Sequence, residues 1–310
     1  EYAHLMGKLD VDFDTDGNVT ACAGQPYMPI STTFEYEYNE EETRTLTGAD
    51  VTRVTTALTK EDEIVAIRPD ATTQAILDVY DEDVDVLKQT VIGTNAEDLC
   101  LERIPGQGRS TICDSSATYE NGSDISNVVA KAFLTVTPTA DIAIQNGGGV
   151  RTDIAKGDLT MGDAYKLLPF ANTLVEMDMT GAEIKTVLEE ALDYALQPDG
   201  STGAYPYAAG LRWHVDVTKP AGQRLSNMEF KGRNDSSWTP LNSAATYKLV
   251  TNNYIAGGRD GYLTFKTVKN EGRYLDTYLD YAQSFVDYVR ERGSVGKLPE
   301  SEYSTQAMTK

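Results

Sequence analysis

Histidine is scarce in this sequence, with only His4 and His214 among 310 residues. The metal centres of hydrolases need several His, Asp and Asn ligands held close together. The alternation of His214 with Trp213 and Val215 predicts a structural position in a strand. Two isolated histidines therefore do not indicate a metal centre of this kind.

Positive charge is also scarce, with 27 Lys and Arg against 48 Asp and Glu and a formal net charge of −21. A field of that sign repels phosphate backbones, which argues against a nucleic acid polymer as a partner. An acidic protein that binds a small anion must concentrate its few arginines at the site. Arginines beside glycine-rich turns are therefore informative here.

Long apolar runs are absent, because no stretch approaches the roughly 20 apolar residues that span a bilayer. We therefore expect no membrane span. The chain opens with EYAHLMGKLD, without an initiator Met or the apolar core of a signal peptide. We interpret it as a processed protein or an excised fragment.

Cysteine occurs three times, as Cys22, Cys100 and Cys113. Cys100 and Cys113 bracket the segment LERIPGQGRSTI, and a disulfide between them would staple a flexible loop. Two unrelated buried thiols are the alternative. A bridge would indicate an oxidising compartment, and the cysteine spacing does not suggest zinc. Cys22 is expected to be unpaired.

The first residues alternate apolar and polar side chains around an Asp-Gly pair, which predicts a β-hairpin. Leu9, Val11 and Phe13 would share one face, and the turn would lie at Asp16. The same stretch resembles the start of a calcium loop, but Ala23 stands where a bidentate acid is required. We therefore do not expect calcium there.

The acidic segment 35–65 shows no clear period, and it is followed by an apolar stripe typical of a helix from Asp70 to near Gly93. That helix is a plausible domain connector. Beyond it the pattern alternates helices and strands, with Ser123 or Asp124 as the predicted cap of the first helix and a capping-box pattern at Thr180 and Glu183. The predicted helices are 124–136, 181–196 and 276–293, and the predicted strands are 140–145, 173–179, 211–217 and 247–255.

Three consecutive glycines follow the first of these strands, in the segment QNGGGVR at 145–151. The segment lacks the Gly-Lys-Ser/Thr of a P-loop and the spacing of a dinucleotide fingerprint. A bare backbone at Gly148 lets a ligand approach closely, and Asn146 and Arg151 supply polar groups at its rim. A structural turn with a surface arginine is the alternative.

Two further segments carry aromatic and polar residues, NNYIAGGRDGY at 252–262 and LLPFANT at 167–173. Tyr254 offers a flat face after a strand, and Asp260 in its glycine loop can accept hydrogen bonds from ribose-like hydroxyls. Phe170 lies in a polar turn, where it is hard to justify as core. The two rings could clamp a planar ligand, because base stacking contributes roughly 1–3 kcal/mol. Ordinary turns with core or surface aromatics are the alternative.

Taken together, NGGGVR, LPFANT and the GGRDGY loop resemble the C-terminal domain of the 5′-nucleotidase family over roughly residues 90–270. The resemblance implies an α+β fold, in which a mixed sheet with flanking helices is preceded by a hairpin and a long linker helix. It also implies that this domain binds the nucleoside of the substrate, with the base stacked between two aromatic rings.

The resemblance assigns Phe170 and Tyr254 to stacking and Asp260 to the ribose. It also matches two loop arginines to substrate-binding arginines of the family, although their spacing is wider here, and Arg259 departs from the family's GGDGY-type loop. The implied substrate-binding set is Arg103, Arg109, Asn146, Gly148, Arg151, Phe170, Asn172, Tyr254 and Asp260.

In this family an N-terminal metallophosphoesterase domain with two divalent metal ions performs hydrolysis. The resemblance therefore implies that residues 1–65 are the remnant of that domain, 66–92 a linker helix and 93–310 the nucleotide-binding domain. Neither His4 nor His214 lies in a D-x-H, G-N-H-D/E or G-H-T-H motif of that domain. The resemblance therefore implies no metal site and no catalytic residue in this chain, which we expect to be inactive alone, to hold no cofactor and to work with its own N-terminal catalytic domain. A periplasmic or secreted location is expected.

The full-length protein is expected to hydrolyse nucleoside 5′-monophosphates. ERIPGQGRS and the cysteine pair resemble bacterial members that also split NAD. Two other functions remain open from the residues alone. One is a nucleoside-binding module without catalysis, and the other is a related phosphoesterase that acts on cyclic nucleotides or nucleotide sugars.

Overall fold

The structure is a computed structural model that describes residues 5–39 and 42–310. Internal contacts divide the chain into two compact units, Glu1–Asp83 and Val84–Lys310. The two units are described separately below, as unit 1 and unit 2.

Unit 1 contains the predicted hairpin, in which two antiparallel strands flank a turn where the Asp14 carboxylate accepts hydrogen bonds from the backbone of Asp16 and Asn18. Leu9 and Phe13 remain 65% and 62% exposed, so the predicted apolar face is not buried within this unit. The elements are β1 (Met6–Phe13), β2 (Val19–Ser31), β3 (Glu35–Asn39), β4 (Glu42–Thr45), α1 (Ala49–Leu58), β5 (Ile64–Ile67) and α2 (Ala71–Lys88).

The acidic segment without a clear period nevertheless forms β3, β4, α1 and the start of β5. Sequence periodicity missed them because they are short and α1 buries no side chain. The predicted long helix is present as α2, and the boundary between the two units falls inside it. The assignment of 1–65, 66–92 and 93–310 as three functional segments stays a prediction.

Unit 2 is a mixed α and β structure whose strands form three sheets. Its helices are α3 (Asp124–Val136), α4 (Met161–Leu167), α5 (Gly181–Leu196), α6 (Asn253–Ala256), α7 (Leu263–Asn270) and α8 (Tyr281–Arg292). Its strands are β6 (Val91–Asn95), β7 (Ile142–Asn146), β8 (Gly157–Thr160), β9 (Thr173–Thr180), β10 (Pro206–Ala209), β11 (Leu211–Asp216), β12 (Leu225–Phe230), β13 (Thr239–Pro240), β14 (Thr246–Asn252), β15 (Tyr274–Asp280), β16 (Ser294–Val295) and β17 (Thr305–Thr309).

The central sheet has the strand order β10-β7-β14-β9-β15, in which only β7 and β14 are parallel. It separates two apolar cores. Ile142 and Ile144 of β7 face the core formed with α5 and α7, whereas Ala143 between them faces the core formed with α3 and α8. Alternate side chains of a strand point to opposite faces, so the apolar run 142–144 of a strand covered on both faces contributes to both cores. The expected mixed sheet with flanking helices is confirmed.

Two helix starts follow the predicted capping chemistry. The Ser123 hydroxyl accepts a hydrogen bond from the backbone of Ser126 and caps α3, and Thr180 and Glu183 form a full capping box on α5. The predicted helix 276–293 is wrong at its beginning, because 276–280 completes β15. The Asp280 carboxylate then caps α8 through the backbone of Gln283.

The capping glutamate of α5 also makes an ion pair with Arg273, whose guanidinium approaches Glu183 to 2.6 Å. Hydrogen bonds from Arg273 lower the pKa of Glu183 to about 2. A carboxyl group whose pKa falls on folding stabilises the fold above its unfolded pKa, and loses that contribution as the pH falls through its folded pKa.

We expect Glu183→Gln to lower the free energy of unfolding at pH 7 by about 1–2 kcal/mol, since the pair is partly exposed and solvent screens it. The deficit should shrink as the pH falls from about 4.5 to about 2 and the native carboxylate protonates. Urea denaturation across this range measures it. The control is Glu271→Gln, which removes a 52% exposed partner of Arg273. A deficit that stays constant with pH would contradict the prediction.

Candidate functional site

The sheet topology brings the two glycine-rich segments together at one edge of the central sheet. β7 and β14 run parallel, with Ala143 opposite Val250, so their carboxyl ends reach the same edge at Asn146 and Asn252. β9 is antiparallel to β14 and begins at this edge with Thr173, directly after LLPFAN. Ligands of open α/β sheets bind at the carboxyl ends of strands.

A chain of hydrogen bonds joins three of the predicted site residues. The Asn146 side-chain amide donates to Oδ2 of Asp260 over 3.0 Å, and the Tyr254 hydroxyl donates to Oδ1 of the same carboxylate over 3.0 Å. Asn146 is buried, whereas Tyr254 is 43% exposed. The two segments therefore meet at Asp260.

The turn that carries Asp260 is unusual in its backbone. Asp260 has a φ of 54°, and the flanking Gly258 and Gly261 have φ values of 83° and 80°. Residues with a Cβ avoid this left-handed region, although Asp tolerates it better than most. The glycines thus let the chain turn sharply enough to aim the carboxylate at Asn146 and Tyr254.

The Tyr254 hydroxyl stays protonated over the whole physiological range. Burial and the neighbouring Asp260 carboxylate raise the pKa of Tyr254 to about 12. The hydroxyl therefore remains a hydrogen-bond donor to Asp260, and its ring stays neutral.

A second pair of predicted residues meets at the same turn. The Arg151 guanidinium carbon lies 5.7 Å from the centre of the Phe170 ring, and one of its nitrogens donates to the Gly148 carbonyl over 3.3 Å. A cation within about 6 Å of an aromatic ring is attracted by the ring quadrupole. Arg151 thus connects the glycine turn with the LLPFANT segment.

The three glycines are explained by space rather than by backbone conformation. None of the three has a positive φ. A Cβ on Gly149 would overlap the side-chain nitrogen of Gln145 and the hydroxyl of Tyr281, and a Cβ on Gly148 would lie 3.0 Å from the Cα of Gly203. The glycines admit the protein's own groups, and the close approach of a ligand at Gly148 stays a prediction.

Arg103 also lies near this turn. Its Nη1 atom would be 3.5 Å from a Cβ on Gly203, the residue that packs on Gly148. The side chain of Arg109 is exposed, and within residues 5–39 and 42–310 no group makes a hydrogen bond or ion pair with it. The structure therefore places Arg103 at the candidate site and leaves Arg109 at the surface of its loop.

The loop that carries both arginines is held from several sides. Cys100 and Cys113 form the predicted disulfide, and Cys22 is free and exposed. The buried Glu102 carboxylate accepts hydrogen bonds from the backbone of the loop, including Arg109 over 2.7 Å. Asp153 accepts from the backbone of the same loop on its other side. Such a loop is ordered by its own contacts.

Asn172 contributes through its backbone. Its carbonyl accepts a hydrogen bond from the backbone of Tyr281 over 3.0 Å, and its own N–H donates to the Phe170 carbonyl over 2.8 Å. These contacts fix the turn beside the Phe170 ring. A role for its side chain stays a prediction.

Two buried amides beneath the turn, Gln145 and Asn252, escaped the sequence prediction. The Asn252 amide donates to the side-chain oxygens of Gln145 and Asn146, over 3.1 Å in each case. Both residues had a signal in the sequence, since each is a polar amide at the last or next-to-last position of a strand. Without the parallel pairing of β7 and β14, nothing in the sequence joins them.

His214 lies in β11, as predicted, where its ring nitrogen contacts the Asn227 amide over 3.1 Å. His4 lies outside the described residues. Within 5–39 and 42–310, no group of three or more His, Cys, Asp or Glu side chains is placed to hold a metal ion. We therefore derive no metal-dependent step from this chain.

In the same ranges no helix has the length and apolarity to cross a membrane.

A family model described as "5'-nucleotidase, C-terminal domain" matches residues 92–267, which is more than half of the chain. The chain belongs to the 5′-nucleotidase family. Two curated relatives in this family are the NAD 5'-nucleotidase of Haemophilus influenzae and a probable 5'-nucleotidase of Treponema pallidum. They are 34% and 33% identical to this chain over 94% of its length in each case.

The match covers 48% and 49% of those two relatives, so the chain spans about half of their length. Two solved structures of 5′-nucleotidase family members show the same fold. The NAD nucleotidase of Haemophilus influenzae has a TM-score of 0.65 over 99% of this chain and 54% of its own. The 5'-nucleotidase precursor of Thermus thermophilus has a TM-score of 0.62 over 100% and 50%, and both are 30% identical to this chain.

Proposed function

We propose that this chain is the substrate-binding part of a 5′-nucleotidase that hydrolyses nucleoside 5′-monophosphates to nucleoside and phosphate. One observation carries the proposal. The hydrogen-bonded chain Asn146–Asp260–Tyr254 and the Arg151–Phe170 pair meet at one edge of the central sheet. That edge thus carries an amide donor, a carboxylate acceptor, a guanidinium and two aromatic rings, which together complement a nucleoside.

Each group has a proposed partner in the substrate. Phe170 and Tyr254 stack on the two faces of the base, and stacking tolerates every base because each has a π-face. Asp260 accepts hydrogen bonds from ribose hydroxyls. Arg151 offers its planar fork to a phosphate or carbonyl group.

The bond-breaking chemistry belongs to the rest of the full-length protein. We assign two divalent metal ions to an N-terminal catalytic domain, and we expect this chain to supply binding and orientation alone. Holding the base fixes the phosphate in position, and such orientation is a large part of rate enhancement. The name of the Haemophilus influenzae relative supports NAD as a further substrate, and the same base contacts would also accept nucleotide sugars. A periplasmic or secreted location fits the disulfide between Cys100 and Cys113.

We expect calorimetric titration of the 310-residue chain with adenosine to show saturable binding. Phe170→Ala and Tyr254→Ala should each weaken binding about tenfold, consistent with the loss of one stacking face. Tyr36→Ala is the control, because Tyr36 is 42% exposed, like Tyr254, but belongs to unit 1. Unchanged affinity in both variants, or no binding at millimolar adenosine, would contradict the proposal.

A second experiment tests whether this chain supplies binding while the rest of the full-length protein performs hydrolysis. The full-length protein should release phosphate from AMP in the presence of divalent ions, and this chain alone should not. If the full-length protein bound adenosine but released no phosphate from AMP, it would instead be a nucleoside-binding module.

A further inference from the structure

Three side-chain amides lie beneath the glycine turn in an environment closed to water. Gln145, Asn146 and Asn252 are 0%, 3% and 1% exposed. Buried amides need hydrogen-bond partners of the correct polarity, because an unpaired buried donor or acceptor destabilises the fold. Their orientations are therefore determined by the fixed donors and acceptors around them.

The orientation of Asn252 is set by a backbone group. The N–H of Ile255 donates over 3.1 Å to Oδ1 of Asn252, which caps α6. A backbone N–H can only donate, so the oxygen of this amide must face it. The nitrogen of Asn252 then faces inward, where Oε1 of Gln145 and Oδ1 of Asn146 accept from it.

The orientation of Gln145 is set in the same way. Its nitrogen donates over 2.8 Å to the carbonyl of Asn146, which can only accept, and over 2.6 Å to the hydroxyl of Tyr281. The same nitrogen lies 3.3 Å from Oδ1 of Asn146. Both inner amides therefore present donors to that oxygen.

Asn146 is consequently held in one of its two amide orientations. Its oxygen faces two donors within the protein, and its nitrogen faces outward to the Asp260 carboxylate. Reversing the amide would place nitrogen against nitrogen inside and oxygen against carboxylate outside. Each of those contacts is repulsive, so the network allows only one arrangement.

We propose that Asn252 and Gln145 are positioning residues that lock the Asn146 amide with its nitrogen toward the ligand. This inference rests on the proposed function. The locked nitrogen and the Asp260 carboxylate form a donor and an acceptor side by side. A hydroxyl group that accepts from one and donates to the other complements them, and the vicinal hydroxyls of a ribose fit this pair. The site thereby selects ligands that carry such a diol.

The test is a double-mutant cycle on adenosine affinity. Asn252→Ser keeps a good helix cap but removes the donor to Asn146, and it should weaken adenosine binding about tenfold. In an Asn146→Ala background the same substitution should have no further effect, because Asn252 acts through Asn146. Thr180→Ala is the control, since it removes the cap of α5 and should leave affinity unchanged.

The substitution Asn252→Asp provides a second test with a larger expected loss of affinity. It keeps the cap and the shape but places an acceptor against Oδ1 of Asn146, so adenosine binding should fall further than with serine. If the buried charge prevents folding, the serine variant still decides. An equal loss from Asn252→Ser in both backgrounds, or no loss in either, overturns the positioning role while the nucleoside site stands. Absence of adenosine binding by the unsubstituted chain overturns the proposed function and this inference together.

Discussion

Replacing Gly149 by alanine should lower the free energy of unfolding by about 3–5 kcal/mol, the sum of overpacking and of buried hydrogen bonds lost. The new methyl group would overlap the Gln145 nitrogen and the Tyr281 hydroxyl and would lie 3.1 Å from Oδ1 of Asn146. Gln145 and Tyr281 are both 0% exposed, so neither can move its polar group into water. Chemical denaturation measures the loss.

The neighbouring glycines provide matched controls. A Cβ on Gly147 would lie 3.3 Å from its nearest atom, a ring carbon of Tyr207. Because this contact is looser than those at Gly149, Gly147→Ala should lower the free energy of unfolding by less than about 1 kcal/mol. Gly148→Ala, at 3.0 Å from the backbone of Gly203, should lie between the two. Equal stability of the Gly147 and Gly149 variants would contradict the close packing of the amide network against this turn.

The glycine segment illustrates what a sequence can reveal about a site. The run QNGGGVR after a strand predicted a turn with Asn146 and Arg151 at its rim, and the structure places both there. The reason for the glycines could not be predicted, because Tyr281 and Gly203 lie 132 and 54 residues from Gly149 along the chain. Only the folded structure brings them into contact.

The secondary structure was predictable where local chemistry decides it. Helices α3 and α5 match their predicted bounds because apolar periodicity and a capping residue agree at Ser123 and Thr180. Residues 276–280 could not be assigned, since their strand forms by pairing with β9 and their apolar residues also fit a helical period. The predicted strand 247–255 runs past the end of β14, because Tyr254 and Ile255 also fit a strand and only the side-chain cap of Asn252 shows that α6 begins after it.

The parts of the candidate site were predictable to different degrees. Phe170 and Asp260 lie in turns with recognisable composition and Tyr254 lies just after a strand, so the sequence indicates all three as candidates. The role proposed for Gln145 and Asn252 depends on their burial and on their mutual hydrogen bond, and burial of an amide depends on the neighbouring strand. Residues whose role depends on a long-range pairing therefore require the structure.

Replacing Asp260 by asparagine should weaken adenosine binding by roughly 10- to 100-fold, because hydrogen bonds to a charged group contribute about 1.5–3 kcal/mol. The carboxylate accepts from both Asn146 and Tyr254. Asparagine has the same shape but only one oxygen, so its nitrogen must face one of these two donors. The proposed ribose contact loses its negative charge at the same time.

Comparing adenosine with a ligand that lacks the ribose hydroxyls distinguishes a ribose contact of Asp260 from a structural role. If Asp260 binds the ribose hydroxyls, Asp260→Asn should change the affinity for 2′,3′-dideoxyadenosine by less than about threefold, since that ligand lacks the groups concerned. Calorimetric displacement of each ligand measures both affinities. Tyr254→Phe is the control, because it removes one hydrogen bond to Asp260 and keeps the stacking ring. Equal losses for adenosine and its dideoxy analogue would show that Asp260 supports the turn instead of binding the sugar.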